Sequence, residues 1–63
     1  MGKLEGKRIL LVDDELILRE ILAEELVLEG SFVLQASNGK EAFDILKKES
    51  VSAVISDVQM LSF

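Results

Sequence analysis

Sixty-three residues without a cysteine or a histidine can make at most one small domain, held by neither disulfides nor a typical zinc site. A domain of this size buries only about 60% of the surface its unfolded chain exposes, so it must fold by apolar burial or associate with another chain. A net charge of −5 argues against nucleic acid and anionic membranes as partners.

The composition is globular, 49% hydrophobic with no proline, and shows no repeats or low-complexity segments. The longest wholly apolar run, Ile9–Val12, is far below the ~20 residues of a membrane span. The opening Met1-Gly2-Lys3-Leu4-Glu5-Gly6 lacks the apolar core of a secretory signal. A cytoplasmic protein is therefore expected.

In chain order, Lys7-Arg8 leads into Ile9-Leu10-Leu11-Val12 and then Asp13-Asp14. A short continuous apolar run predicts a strand buried on both faces, as in parallel sheets. A helix is expected over about 15–29, with Asp14 and Glu15 favouring its start through the dipole and Gly30 stopping it. Phe32–Ala36 reads as a second strand, and Ser37-Asn38-Gly39 breaks it. A second helix follows over about 39–49, with Ala42, Ile45, Leu46 and Glu49 on one side and Phe43 flanking it. The third strand, about 51–57, ends in Asp57, as the first, about 7–13, ends in Asp13. Alternation of strand and helix implies right-handed crossovers and a parallel sheet covered on both faces.

The position of the acids is the informative feature. Ligands of open parallel sheets bind beyond the carboxyl ends of the strands, where strand order reverses. With the first strand between the other two, Asp13, Asp14 and Asp57 would converge. Clustered carboxylates repel, and a hard divalent cation with oxygen ligands relieves that repulsion. The alternative is that each acid only caps a helix or ends a strand. Spacing alone leaves both open.

Several linked motifs resemble the receiver domain of response regulators. Ile9-Leu10-Leu11-Val12-Asp13-Asp14-Glu15 is similar to that family's first strand and acidic pair. Leu18-Arg19, Ile21-Leu22 and Leu26 are similar to its first helix, and Gly30, Val33, Ala36, Asn38-Gly39 and Glu41-Ala42 fall at its spacing. Ala53-Val54-Ile55-Ser56-Asp57-Val58-Gln59-Met60 resembles the phospho-acceptor strand. The resemblance implies a flavodoxin-like α/β half-domain, three parallel strands in order 2-1-3 with two helices. It also implies a role in a phosphorelay, as an acceptor and not as an enzyme. Asp57 would take a phosphoryl group from a histidine kinase or phosphotransfer protein. Asp14 and Asp57 would ligate Mg²⁺, with Asp13 helping directly or through water and the main-chain carbonyl of Gln59 adding an oxygen.

After Met60 the family pattern continues with proline and a glycine-containing loop, whereas this sequence reads Leu61-Ser62-Phe63. The family's later strands and helices, with their switch hydroxyl residue and lysine, have no counterpart in these residues. Phosphotransfer is therefore expected to be impaired. The third strand would lie at an open edge, able to template pairing with another chain. Leu16, Ile17, Leu18, Ile21, Leu22, Leu26, Val27 and Leu28 wind almost entirely around the first helix, and a helix apolar all round is usually buried all round. Phe32 and Leu34 add apolar surface on one strand face. A homodimer rebuilding the core is thus expected. The competing readings are scattered surface leucines, a fragment never selected to fold, or an interaction module with a vestigial acidic site.

Overall fold

The computed structural model describes residues 5–56. They form β1 (Arg8–Val12), α1 (Leu16–Leu28), β2 (Phe32–Ala36), α2 (Gly39–Lys48) and β3 (Ala53–Ser56). The sheet is parallel throughout and ordered β2-β1-β3. Register runs from Arg8 opposite Phe32 to Val12 opposite Ala36 on one side of β1. On the other it runs from Ile9 opposite Ala53 to Val12 opposite Ser56.

β1 is central because it can be buried on both faces. All four residues Ile9–Val12 are buried, Leu10 and Leu11 completely. Alternation of side chains along a strand divides them between two layers. Leu10 and Val12 pack with Ala36, Leu34 and Val51 against Ala42 and Ile45 of α2. Ile9 and Leu11 point the other way, toward α1, which lies against β1 and β2 and buries Ala23.

The start of α1 corrects the expectation that Asp14 and Glu15 lie in its first turn. Asp13 Oδ1 accepts the Glu15 N–H at 2.8 Å, an Asx-type turn that holds Glu15 extended. Helical geometry therefore begins at Leu16, with no acidic residue in the first turn. At the far end, the Ser31 N–H reaches the Leu26 carbonyl at 3.2 Å and the Gly30 N–H reaches Val27 at 2.9 Å. That is a Schellman closure, with Gly30 at φ +94° and Glu29 as the C-cap beyond Leu28.

Within the single chain, α1 is not covered on all sides. Among its residues only Ala23 is buried, while Leu16, Ile17, Leu18, Ile21, Leu22, Val27 and Leu28 are exposed. One sheet face cannot cover a helix whose apolar residues surround it.

α2 has the clearer amphipathic pattern. Asn38 caps it, its Oδ1 accepting the Glu41 N–H at 2.8 Å. Glu41 lies in the first turn, and Lys47 and Lys48 lie in the last, the charge arrangement the helix dipole favours. Phe43 and Leu46 remain exposed beside the buried Ala42.

β3 contacts β1 but neither helix among the described elements. All four of its residues are exposed, and the side away from β1 has no strand partner among the described residues. Arg8 secures the approach to it. Its Nε donates to the Ser50 carbonyl at 2.8 Å, its guanidinium pairs with Glu49, and its own carbonyl accepts the Ser52 N–H at 2.6 Å.

Candidate functional site

The carboxyl ends of β1 and β2 meet in two adjoining loops. The Asp13 N–H donates to the Ala36 carbonyl at 3.0 Å, extending the ladder one residue past β1. Asp13 is buried, 3% exposed, because its main chain is still in the sheet while its side chain turns back onto Glu15. Asp14, the next residue, is exposed. The two neighbouring acids thus differ in kind: Asp13 shapes the loop and Asp14 faces solvent.

Arg19 braces this loop. Its Nη1 donates to the Asp13 carbonyl at 2.6 Å and its Nε donates to Gln35 Oε1 at 2.9 Å. The main chain of Arg19 also donates to the Glu15 carbonyl at 2.9 Å. One residue of α1 therefore grips the β1–α1 loop and β2 together. In the sequence Arg19 stood out only as part of the first-helix motif. Its partners are a main-chain carbonyl and a glutamine 16 positions away, which no local pattern discloses.

In the neighbouring loop Glu41 Oε1 accepts the Ser37 hydroxyl at 2.6 Å and the Ser37 N–H at 2.8 Å. Glu41 also donates its N–H to Asn38, so the two bonds form a variant of the capping box shifted back by one residue. The Ser37 hydroxyl, then the Ser37 N–H, hold the Glu41 carboxyl below its ordinary range. The Arg19 charge adds to this against a small opposing effect of burial.

Of the residues singled out for a metal, Asp13 and Asp14 sit together at the tip of β1. Asp57 and Gln59 lie outside the described residues. Among the described residues no three acidic, histidine or cysteine side chains converge as a metal site, and no helix is long and apolar enough to cross a membrane.

A parallel β2-β1-β3 sheet with a helix on each face, and acids beyond the central strand, defines a flavodoxin-like α/β half-fold. The chain belongs to the response regulator receiver domain family, whose model matches residues 9–62. Such receivers are components of two-component systems. The chain is 48% identical over 56 residues to a probable transcriptional regulator ycf27 of Porphyra purpurea, covering 89% of this chain and 23% of that relative. It is 42% identical over 53 residues to the response regulator MprA of Mycolicibacterium vanbaalenii, covering 84% and 23%. It is 40% identical over 53 residues to the response regulator protein FleR of Pseudomonas aeruginosa, covering 84% and 11%. The chain thus spans about a quarter or less of these relatives' length. No solved structure gives a significant match.

Proposed function

We propose that the chain is the cytoplasmic phospho-acceptor module of a two-component phosphorelay, with Asp57 receiving the phosphoryl group from a histidine kinase or phosphotransfer protein. One observation carries this reading. The ladder ends with Val12 opposite Ser56, and the next residue of each strand in the sequence is an aspartate, Asp13 and Asp57. Asp14 follows, exposed to solvent.

The donor set suits Mg²⁺, which takes oxygen ligands and keeps several waters in an open site. Asp14 and Asp57 would hold it, with Asp13 and the main-chain carbonyl of Gln59 assisting. When bound, the cation offsets repulsion between carboxylate and phosphate. Asp13 is committed through Oδ1 to the Glu15 N–H, which fixes its orientation and leaves its second oxygen for the cation or a bound water. In the transfer an Asp57 oxygen bonds to phosphorus as the phosphorus–nitrogen bond of a phosphohistidine breaks. The chain is thus an acceptor, not an enzyme.

Incubation with acetyl phosphate and Mg²⁺, followed by intact mass spectrometry, should give one phosphoryl adduct that Asp57→Asn abolishes. An adduct that persists in the variant, or none in the parent chain, sinks this reading. In an assay of these residues alone labelling should be slow. No lysine follows Asp57 in this sequence, and loss of one positioned donor commonly costs about 10²–10³ in rate.

A second reading is supported by β3, whose four residues are all exposed. In it the chain is an assembly module that pairs with a second copy and keeps the acidic loop as a vestige. Sedimentation equilibrium discriminates: a folded monomer that does not associate with rising concentration excludes it.

A further inference from the structure

The acid pair is held by a residue that carries the opposite charge, and this sets up a contradiction that identifies the residue's role. A cation beside two carboxylates should, by Coulomb's law alone, weaken their attraction for a metal. Removing it should then tighten metal binding. The hydrogen bonds of Arg19 argue for the opposite outcome.

We propose that Arg19 is a positioning residue for the acidic loop: it presents Asp14 for cation binding by clamping the Asp13 main chain to α1 and β2, without itself touching the cation. This rests on the reading of Asp13 and Asp14 as part of a Mg²⁺ site. Three features support it. The side chain spends its donors in two directions at once, Nη1 on the Asp13 carbonyl at 2.6 Å and Nε on Gln35 at 2.9 Å. Neither donor reaches a carboxylate, so Arg19 leaves the acids' oxygens free while fixing the backbone that carries them. The Asp13 side chain points back onto Glu15, so the stretch from Asp13 to Glu15 is tied at both ends and Asp14 projects from it into solvent.

The guanidinium is suited to this because its donors form a rigid planar fork. A lysine at the same position keeps the charge but has one nitrogen on a flexible stem. Arg19→Lys therefore separates geometry from charge, and Arg19→Gln removes both the charge and the fork.

The test uses the full 63-residue chain. Mg²⁺ is titrated against the parent, Arg19→Lys and Arg19→Gln by amide NMR shifts, and amide hydrogen exchange is measured in the absence of metal. Both variants should bind Mg²⁺ about 10-fold more weakly, the lower end of the loss typical when a ligand's supporting partner is removed. The Glu15 amide should exchange faster in both, while the Ser31 amide at the other end of α1 stays unchanged. A general loss of stability would instead quicken both amides. Parent-like Mg²⁺ affinity in Arg19→Lys overturns the proposal, as does tighter binding by Arg19→Gln. Should the parent bind no Mg²⁺, the phospho-acceptor reading fails by itself. The exchange comparison still decides here, because an unchanged Glu15 amide in both variants removes the positioning role.

Discussion

Gly30 meets two separate demands. Its φ of +94° is a conformation that side chains with a Cβ adopt only at a cost of roughly 1–2 kcal/mol. An added Cβ would also lie 2.9 Å from the Glu5 Cα, a backbone atom that cannot swing aside. The Gly30 carbonyl meanwhile accepts the Gly6 N–H at 3.0 Å, tying the segment before β1 to the end of α1. Gly30→Ala should therefore lower the thermal midpoint by more than roughly 5 °C, since 1 kcal/mol shifts a domain of this size by about 4–8 °C. A midpoint within a degree or two of the parent would show that the segment before β1 gives way freely. Asp13 teaches a related lesson at the same scale. Its identity as an acid at a strand end was plain in the sequence, and its bond to Glu15 makes it a turn acceptor, close to the cap-like reading.

The start of α2 is tied to pH through one carboxyl. The Glu41 carboxyl is held below its ordinary range by the Ser37 hydroxyl and N–H, with the Arg19 charge assisting. A lowered folded-state value means that the ionised form contributes stability above the unfolded value, and that this is lost as pH falls through the folded one. The start of α2 should thus loosen on the acid side of the ordinary glutamate range. The protection of the Glu41 amide, its exchange rate taken relative to the intrinsic rate at each pH, should fall there in the parent. In Glu41→Gln, which cannot ionise, the pH response should be flatter, and an equally steep response would contradict this assignment. The elements also show what a sequence can disclose. The run Ile9–Val12 announced a doubly buried strand, and Asn38 followed by Glu41 announced a helix start, because both signals are local. The start of α1 was harder to read, since the side chain of Asp13, the first acid of the pair, accepts the Glu15 N–H and displaces it. Arg19 could not be read at all, because its partners come from other elements. The strand order followed from a resemblance, as spacing alone permits other orders.

At the scale of the molecule, the sheet is finished on one side of β1 and thinly covered on the other. β2 has helices on both faces, whereas Val54 and Ile55 of β3 are 49% and 38% exposed on opposite faces. From Val51 to Ser56 there is no charged residue and no proline, two of the devices by which natural edges discourage pairing. If a second copy covers it, Val54→Lys should shift sedimentation equilibrium at least several-fold toward monomer while the helical content of the chain persists. Equal association of parent and variant would place the contact elsewhere, with the exposed leucines of α1 the next surface to probe.

The central place of β1 has a consequence for biosynthesis. Of the three described strands it leaves the ribosome first, yet each of its edges waits for a later one: β2, a helix further on, and β3, at the end of the described residues. Until β2 and then β3 emerge, four of the most water-averse side chains in the protein have no lasting shelter. The Arg8 grip on Ser50 and Glu49 can close only once α2 is complete. Nascent chains stalled before that point would be the ones that chaperones have most reason to hold.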